Sequence, residues 1–213
     1  MLAAFTAGLL LITISELGDK TFFIGVILAM RYSQRLVFAG VMAALAAMTL
    51  LSVILGQVVS LLPETYIHFG EIALFLGFGM KLIYDASQMP ATSEQAAVKE
   101  ATVAVAQQDR GGTIALSAKE WSLSPNLAIL LQAFVMTFLA EWGDRTQIST
   151  IALAASYQPA GVTAGAILGH GICTAIAVIG GRLIAGRISE RLVTGIGGLL
   201  FLVFGAVAIW QGV

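Results

Sequence analysis

The hydrophobic pattern of the chain consists of six long apolar stretches, at about residues 3–30, 36–60, 67–86, 127–155, 161–185 and 192–211. Each is long enough to cross a bilayer as a helix, which takes about 20 residues. The first and fourth stretches are longer, near 28 residues, and carry charged residues beside a glycine at their midpoints. A straight helix of that length would exceed the hydrocarbon core. We therefore predict an all-α membrane protein with six transmembrane helices, in which spans one and four are kinked or broken.

Composition supports this class and excludes others. Of the 213 residues, 58% are hydrophobic and only 11% are charged, whereas soluble domains carry about 25% charged residues. The formal net charge of −1 gives no indication of a nucleic-acid partner. A single cysteine, Cys173, excludes a disulfide framework and a cysteine-based zinc site. No basic residue precedes the first apolar stretch, so we expect that stretch to be a mature span rather than a signal peptide.

The two charged midpoints are copies of one motif. Both contain, in the same order, an acid, a glycine, a second acid, a cation and a hydroxyl: Glu16-Leu17-Gly18-Asp19-Lys20-Thr21 and Glu141-Trp142-Gly143-Asp144-Arg145-Thr146. A shift of about 125 residues also aligns Gly40 with Gly165 and Thr49 with Thr174. We therefore predict a first three-helix repeat at 1–86, a linker at 87–126 and a second three-helix repeat at 127–213.

The short loops predict the orientation. Arg31 and Arg35 follow the first span, and Arg187 and Arg191 follow the fifth, whereas the loop at 61–71 contains no lysine or arginine. The positive-inside rule places the basic loops and the linker in the cytoplasm and both termini outside. Because each half has three spans, the halves cross the membrane in opposite directions. The result is a 3+3 inverted repeat, an architecture typical of transporters.

The linker is polar and rich in alanine. Residues 93–110 are predicted to form a surface helix, and the interpretation of the linker as a whole is a tether between the halves. Ser124-Pro125 is predicted to be the N-cap and first-turn proline of the fourth span.

The paired motif predicts a cation site. On a continuous helix Glu16 and Asp19 would share a face, as would Glu141 and Asp144. Two such faces brought together offer four carboxylates. Three neutral side chains nearby add oxygen ligands: Thr21, Thr146 and Gln147. An oxygen-only set suits a hard divalent cation such as Mg²⁺, Ca²⁺ or Mn²⁺.

Charge balance predicts competition between metal ions and protons. Four carboxylates with Lys20 and Arg145 leave a formal charge of −2, which one divalent cation or two protons would neutralise. The same residues would then bind either species in turn, as a cation/proton antiporter requires. Lys20 and Arg145 each follow their glutamate by four residues, a spacing that favours an ion pair within a helix. We expect them to hold the carboxylates when the ion leaves, or to move during the transport cycle.

Three further features need an interpretation: one has a functional and a structural alternative, and the other two have a structural explanation. His170, within the fifth span, is a candidate proton relay, or it hydrogen-bonds a neighbouring helix. The stripe of Gly161, Gly165 and Gly169 predicts close helix packing. Lys81 and Asp85 are four residues apart near the end of span three, which predicts an ion pair.

The doubled Glu-x-Gly-Asp-Lys/Arg-Thr motif in a six-span chain resembles the calcium/cation antiporter-2 family, the bacterial manganese exporters and the Golgi Ca²⁺/Mn²⁺:H⁺ exchangers. The resemblance implies that Glu16, Asp19, Glu141 and Asp144 form the ion site. It further implies export of Mn²⁺, or transport of Ca²⁺ and Mn²⁺ driven by protons, by a protein of the lipid bilayer with no cofactor. The short N-terminus favours a prokaryotic plasma-membrane protein.

Two alternatives stay open at this level. A passive divalent cation channel could use the same acidic residues. An intramembrane aspartyl protease is suggested by Tyr84-Asp85 and Gly18-Asp19, but a protease gives no reason for two copies of the motif. The inverted repeat favours the antiporter over both.

Overall fold

The structure is a computed structural model that describes residues 1–89, 94–109, 124–184 and 189–211. Within these ranges the chain is entirely helical apart from turns. The helices are α1 (Leu2–Glu16), α2 (Lys20–Arg31), α3 (Gln34–Val59), α4 (Glu64–Gln88), α5 (Glu94–Asp109), α6 (Pro125–Ala140), α7 (Arg145–Ser156), α8 (Pro159–Ile184) and α9 (Glu190–Gln211).

Four of these helices, α3, α4, α8 and α9, are each long and apolar enough to cross a membrane. The other two spans are bent pairs. Helices α1 and α2 meet at 66°, and α6 and α7 meet at 74°, each across a break of at most four residues. The prediction of six spans, with the first and fourth broken at the motif, is confirmed.

The break has a local cause in the motif glycine. Leu17 has φ −63° and ψ 117°, Gly18 has φ 77°, and the amide of Asp19 donates to the carbonyl of Glu16 at 3.2 Å. These values describe a type II turn, whose third residue needs a positive φ and is therefore usually glycine. The second motif repeats the positive φ, 78° at Gly143. Each glycine thus ends one half-helix and allows the next to start in a new direction.

The two halves are inverted relative to each other. Helices α4 and α9 are the third spans of their halves, and they pack side by side. Gly79 of α4 lies against Leu202 of α9, and Leu76 of α4 lies against Gly205. As residue numbers rise along α4 they fall along α9, so the two helices are antiparallel. Equivalent helices that run in opposite directions are the signature of an inverted repeat.

The halves also interlock. Helix α1 of the first half lies along α8 of the second, and α3 lies along α6 and α7. Gly161 of α8 meets Ala4 of α1, and Gly165 backs onto the carbonyl of Phe5, so the glycine stripe is packed as closely as predicted. A side chain at Gly165 would collide with this backbone. The boundaries of the two repeats as separate units remain a prediction, because each half packs its helices on the other.

The linker helix is bound to the membrane-spanning part. Helix α5 agrees with the predicted helix at 93–110 to within one residue at each end, and it packs on α2. Ala101 and Val105 are fully buried in a cluster with Phe22. The described helix of the linker is therefore packed on the membrane-spanning part, and the linker's role as a tether between the halves stays a prediction. Ser124 accepts a hydrogen bond from the amide of Leu127 at 3.4 Å, as predicted for the N-cap of α6. The rest of the linker and Arg187 lie outside the described residues.

Candidate metal centre

The turn in each motif places its two carboxylates at two different helix ends. Glu16 is the last residue of α1 and Glu141 follows α6, whereas Asp19 and Asp144 are the N-caps of α2 and α7. The prediction that Glu16 and Asp19 share a helix face is therefore wrong, because the helix ends between them. Helix C-termini carry partial negative charge and N-termini partial positive charge. The glutamates thus lie where a cation is favoured, and the aspartates where a carboxylate is favoured.

Three of the four predicted acids converge. One carboxylate oxygen each from Asp19, Glu141 and Asp144 lies within 4.8 Å of the other two. Asp19 comes from the first motif, and the other two come from the second. The broken ends of the two long spans therefore meet, as the paired motif predicted. Oxygens this close can share one divalent cation.

Glu16 is the predicted acid that does not join this group of three. Its Oε2 accepts a hydrogen bond from the hydroxyl of Thr21 at 3.1 Å, and its Oε1 lies 3.5 Å from Nδ1 of His170. The second motif has the equivalent bond, from the hydroxyl of Thr146 to Oε2 of Glu141 at 3.0 Å. All four motif side chains in these bonds are buried. Each threonine hydroxyl therefore holds its own glutamate, and its prediction as a neutral oxygen ligand stays a prediction.

The arginine of the second motif reaches across to the first. Nη2 of Arg145 lies 3.4 Å from Oδ1 of Asp19, and both side chains are about one-quarter exposed, 26% and 23%. The expected pair with Glu141 in the same helix is not formed, because α7 begins at Arg145, after the break. Lys20 begins α2 in the equivalent position. A guanidinium beside Asp19 balances its charge and competes with a cation for the same oxygen.

Gln147 braces the turn. Its Oε1 accepts a hydrogen bond from the amide of Gly143 at 2.7 Å, and its Nε2 lies 3.2 Å from Sδ of Met48. The side-chain oxygen predicted as a metal ligand is therefore engaged by the backbone of the second motif. The side chain of Gln147 thus holds the positive-φ glycine in place. This contact fixes the direction of the chain from the turn to Asp144.

Three small cavities surround the acids. One of about 30 Å³ lies beside Asp19 and Arg145, between the motif and residues Leu82 of α4 and Thr194 of α9. Two cavities of about 10 Å³ lie beside Glu16 and Glu141. A cavity of this size holds about one water-sized occupant. Each acidic region therefore has room for a small ion or a water.

Sequence reasoning missed the polar residues that α3 contributes to this site. Thr49 and Ser52 are buried and line the cavity beside Glu141. Ser52 donates to the carbonyl of Met48 at 2.8 Å. The alignment of Thr49 with Thr174 was a usable signal, since a hydroxyl recurs at the same place in both repeats. Thr49 lies on α3, which carries neither motif, so its place in the sequence gave no indication of contact with Glu141.

Asp85, one of the two aspartates on which the protease alternative depended, forms an ion pair of its own. Its Oδ2 is 2.8 Å from Nζ of Lys81, and the two side chains are 34% and 69% exposed. This is the ion pair that the sequence predicted. Asp85 is not a member of the group formed by Asp19, Glu141 and Asp144.

Comparison with known proteins identifies close relatives. The family model described as divalent cation/proton antiporter GDT1 matches residues 4–90 and 129–213, that is, both motif-bearing halves. A GDT1-like protein of Synechocystis is 55% identical over 210 residues, which cover 99% of this chain and 98% of the relative. GDT1-like protein 5 of Arabidopsis thaliana is 40% identical over 96% of this chain and 94% of its own length.

A longer relative matches as well. The chloroplastic PAM71-homolog protein of Arabidopsis thaliana is 41% identical over 98% of this chain, which corresponds to 59% of that protein. No solved structure matches the chain.

Proposed function

Because this chain belongs to the GDT1 family of divalent cation/proton antiporters, we propose that it exports a divalent cation from the cytoplasm in exchange for protons. Mn²⁺ is the proposed ion, and Ca²⁺ is the alternative. The proposed ligands are Glu16, Asp19, Glu141 and Asp144. The observation that carries the proposal is the convergence of Asp19, Glu141 and Asp144, whose oxygens lie within 4.8 Å of one another although the two motifs are far apart in sequence.

Coupling follows from the charge of the site. Four carboxylates close together repel one another when empty, and little water is present to screen them. Lys20 and Arg145 neutralise two of the four negative charges. One divalent cation or two protons would neutralise the remaining two. Because the same oxygens bind both, a metal ion and protons exclude each other. Exchange then needs only that the empty, unneutralised site cannot change the side to which it opens.

The proposed direction rests on the loops and one cavity. The positive-inside rule places the loop before α9 in the cytoplasm, because Arg191 lies at that end. The cavity beside Asp19 and Arg145 is lined by Val193 and Thr194, from the same end of α9. In this conformation the site therefore lies nearest the side proposed as cytoplasmic, from which an exported ion would enter. Both termini would lie outside, in a multi-pass protein of a prokaryotic plasma membrane.

The ion preference rests on the ligands. Carboxylate oxygens suit Mg²⁺, Ca²⁺ and Mn²⁺. Mn²⁺ is the weakest binder of the first-row transition metals, so geometry and supply decide its selection. A channel would share these ligands, and the dependence of flux on the proton gradient separates the two functions.

Flux in proteoliposomes tests the proposal. The protein is reconstituted with a Mn²⁺ dye and a pH dye, and the wild type is compared with Asp19→Asn and Asp144→Asn. We expect coupled Mn²⁺ and proton movement in the wild type and its loss in both variants, because each variant removes a carboxylate from the site. Asp85→Asn, outside the site, is the matched control and should retain coupled flux. Mn²⁺ flux that is unaffected by the pH gradient would replace the antiporter with a channel. Full activity in Asp19→Asn or Asp144→Asn would remove that residue from the mechanism.

A further inference from the structure

The inner part of the site contains buried polar atoms without a partner. Four side-chain atoms that find no hydrogen-bond partner among the described residues belong to the two motif glutamates and to their neighbours: Oε1 of Glu16, Oε1 of Glu141, Nδ1 of His170 and Oγ1 of Thr49. A buried polar group without a partner costs about 1–3 kcal/mol. Native proteins rarely leave several such groups together unless a ligand or water satisfies them.

His170 lies close to Glu16 and lines the cavity beside Glu141. Its side chain, 4% exposed, places Nδ1 3.5 Å from Oε1 of Glu16, and it lines the cavity beside Glu141 together with Thr49. A separation of 3.5 Å is long for a hydrogen bond. It suits two ligands of one ion, since neighbouring ligands about 2.0–2.6 Å from a divalent cation stand roughly 2.8–3.7 Å apart at right angles.

The repeat indicates that packing alone does not require an imidazole here. A shift of 125 residues places Leu45 opposite His170, and Leu45 also lines the small cavities beside Glu16 and Glu141. The glutamates and the threonines that hold them are the same in both halves. The imidazole is therefore a departure from the symmetry of the site, made where a leucine fills the equivalent position.

We propose that His170 is a nitrogen ligand in the inner part of the cation site and makes the protein select Mn²⁺ over Ca²⁺ and Mg²⁺. This inference rests on the proposed function. Ca²⁺ and Mg²⁺ prefer oxygen ligands, whereas imidazole nitrogen also binds first-row transition metals well. A neutral imidazole adds this preference without altering the charge balance of the four carboxylates. The ion would bind to the three converged acids and reach Glu16 and His170 further inside.

Pulsed EPR of bound Mn²⁺ tests the ligand directly. The chain has two histidines, His68 and His170, so protein purified through a tag without histidine gives an unambiguous ¹⁴N signal. We expect histidine ¹⁴N coupling to Mn²⁺ in the wild type and in the matched control His68→Gln, and its loss in His170→Gln. Bound Mn²⁺ without ¹⁴N coupling in the wild type, or coupling that persists in His170→Gln, would overturn the inference.

Flux measurements at a fixed pH gradient test selectivity. The ratio of kcat/KM for Mn²⁺ to that for Ca²⁺ should fall at least about tenfold in His170→Gln and in His170→Leu, the latter matching the equivalent residue of the other repeat. A purely structural role would lower kcat/KM for both ions in the same proportion. The ratio would then be unchanged, and that result would contradict the proposal. If the wild type moves no divalent cation against protons, the proposed function fails. If the wild type does so and only the ratio is unchanged, this inference alone fails.

Discussion

At the scale of single residues, each motif threonine fixes its own glutamate. Thr21 and Thr146 donate to Glu16 and Glu141 at 3.1 and 3.0 Å, five residues back in each case. The bond crosses the break between the half-helices, so it also ties the end of one to the start of the next. Because the glutamate oxygens are buried, no solvent replaces a lost hydroxyl.

Thr146→Val removes this bond and preserves the shape of the side chain. A hydrogen bond to a charged group contributes about 1.5–3 kcal/mol, so we expect KM for the transported cation to rise roughly 10- to 100-fold. The measurement is the initial rate of Mn²⁺ flux in proteoliposomes against Mn²⁺ concentration. Thr163→Val is the control, since Thr163 donates to the carbonyl of Pro159 in its own helix and should leave KM unchanged. Equal effects in both variants would contradict the orienting role of Thr146.

At the scale of elements, the essential structure is the broken span. A continuous helix would project Glu141 and Asp144 from one side, whereas the turn at Gly143 separates them onto two half-helices bent by 74°. Gln147 holds this turn through the amide of Gly143. The positive φ of the glycine is therefore what brings both types of helix end to the proposed cation site.

Gly143→Ala should destabilise the protein through backbone strain alone. An added Cβ at Gly143 meets nothing within 4 Å, but φ is +78°, where a side chain costs about 1–2 kcal/mol. We expect the Tm in detergent to fall by a few degrees, together with slower Mn²⁺ flux. Gly77→Ala is matched, because Gly77 also has open space but lies in the regular helix α4, where alanine is favoured. A Tm that is unchanged in Gly143→Ala would show that the turn accepts another conformation.

At the scale of the whole molecule, the inverted halves contribute together to two buried clusters. Phe75 of α4 and Phe201 of α9 are both fully buried, and their ring centroids are 5.9 Å apart. A shift of 126 residues makes them equivalents, so the pseudo-twofold axis passes between them. In inverted-repeat transporters, alternating access is largely the rocking or gating of one repeat or bundle against the other around a fixed site.

Labelling of single cysteines tests the proposed orientation. In a Cys173→Ala background, cysteines placed at four exposed connections are treated with a maleimide that does not cross membranes. We expect Leu62→Cys and Gln158→Cys to react in intact cells, and Ser33→Cys and Ser189→Cys to react only after lysis, because arginine-rich loops are retained in the cytoplasm. The opposite pattern would reverse the direction of transport proposed above.

The sequence alone determined the spans, the repeat and the break. These features are encoded in neighbouring residues: apolar length sets the number of spans, a glycine sets the positive φ at residue 18, and Ser124 before a proline sets the start of α6. The choice of the four acids as candidate site residues followed from the same local pattern, since charged residues within a membrane span are costly and indicate a function.

Only the tertiary structure decided how these residues meet. It paired Arg145 with Asp19 of the other repeat, engaged Gln147 with a backbone amide, left Glu16 beside His170 rather than among the three converged acids, and packed α5 on α2. Each of these contacts joins side chains on different helices. Their distances depend on how two inverted halves interlock and on where a broken helix points, and no spacing along one segment of chain encodes either.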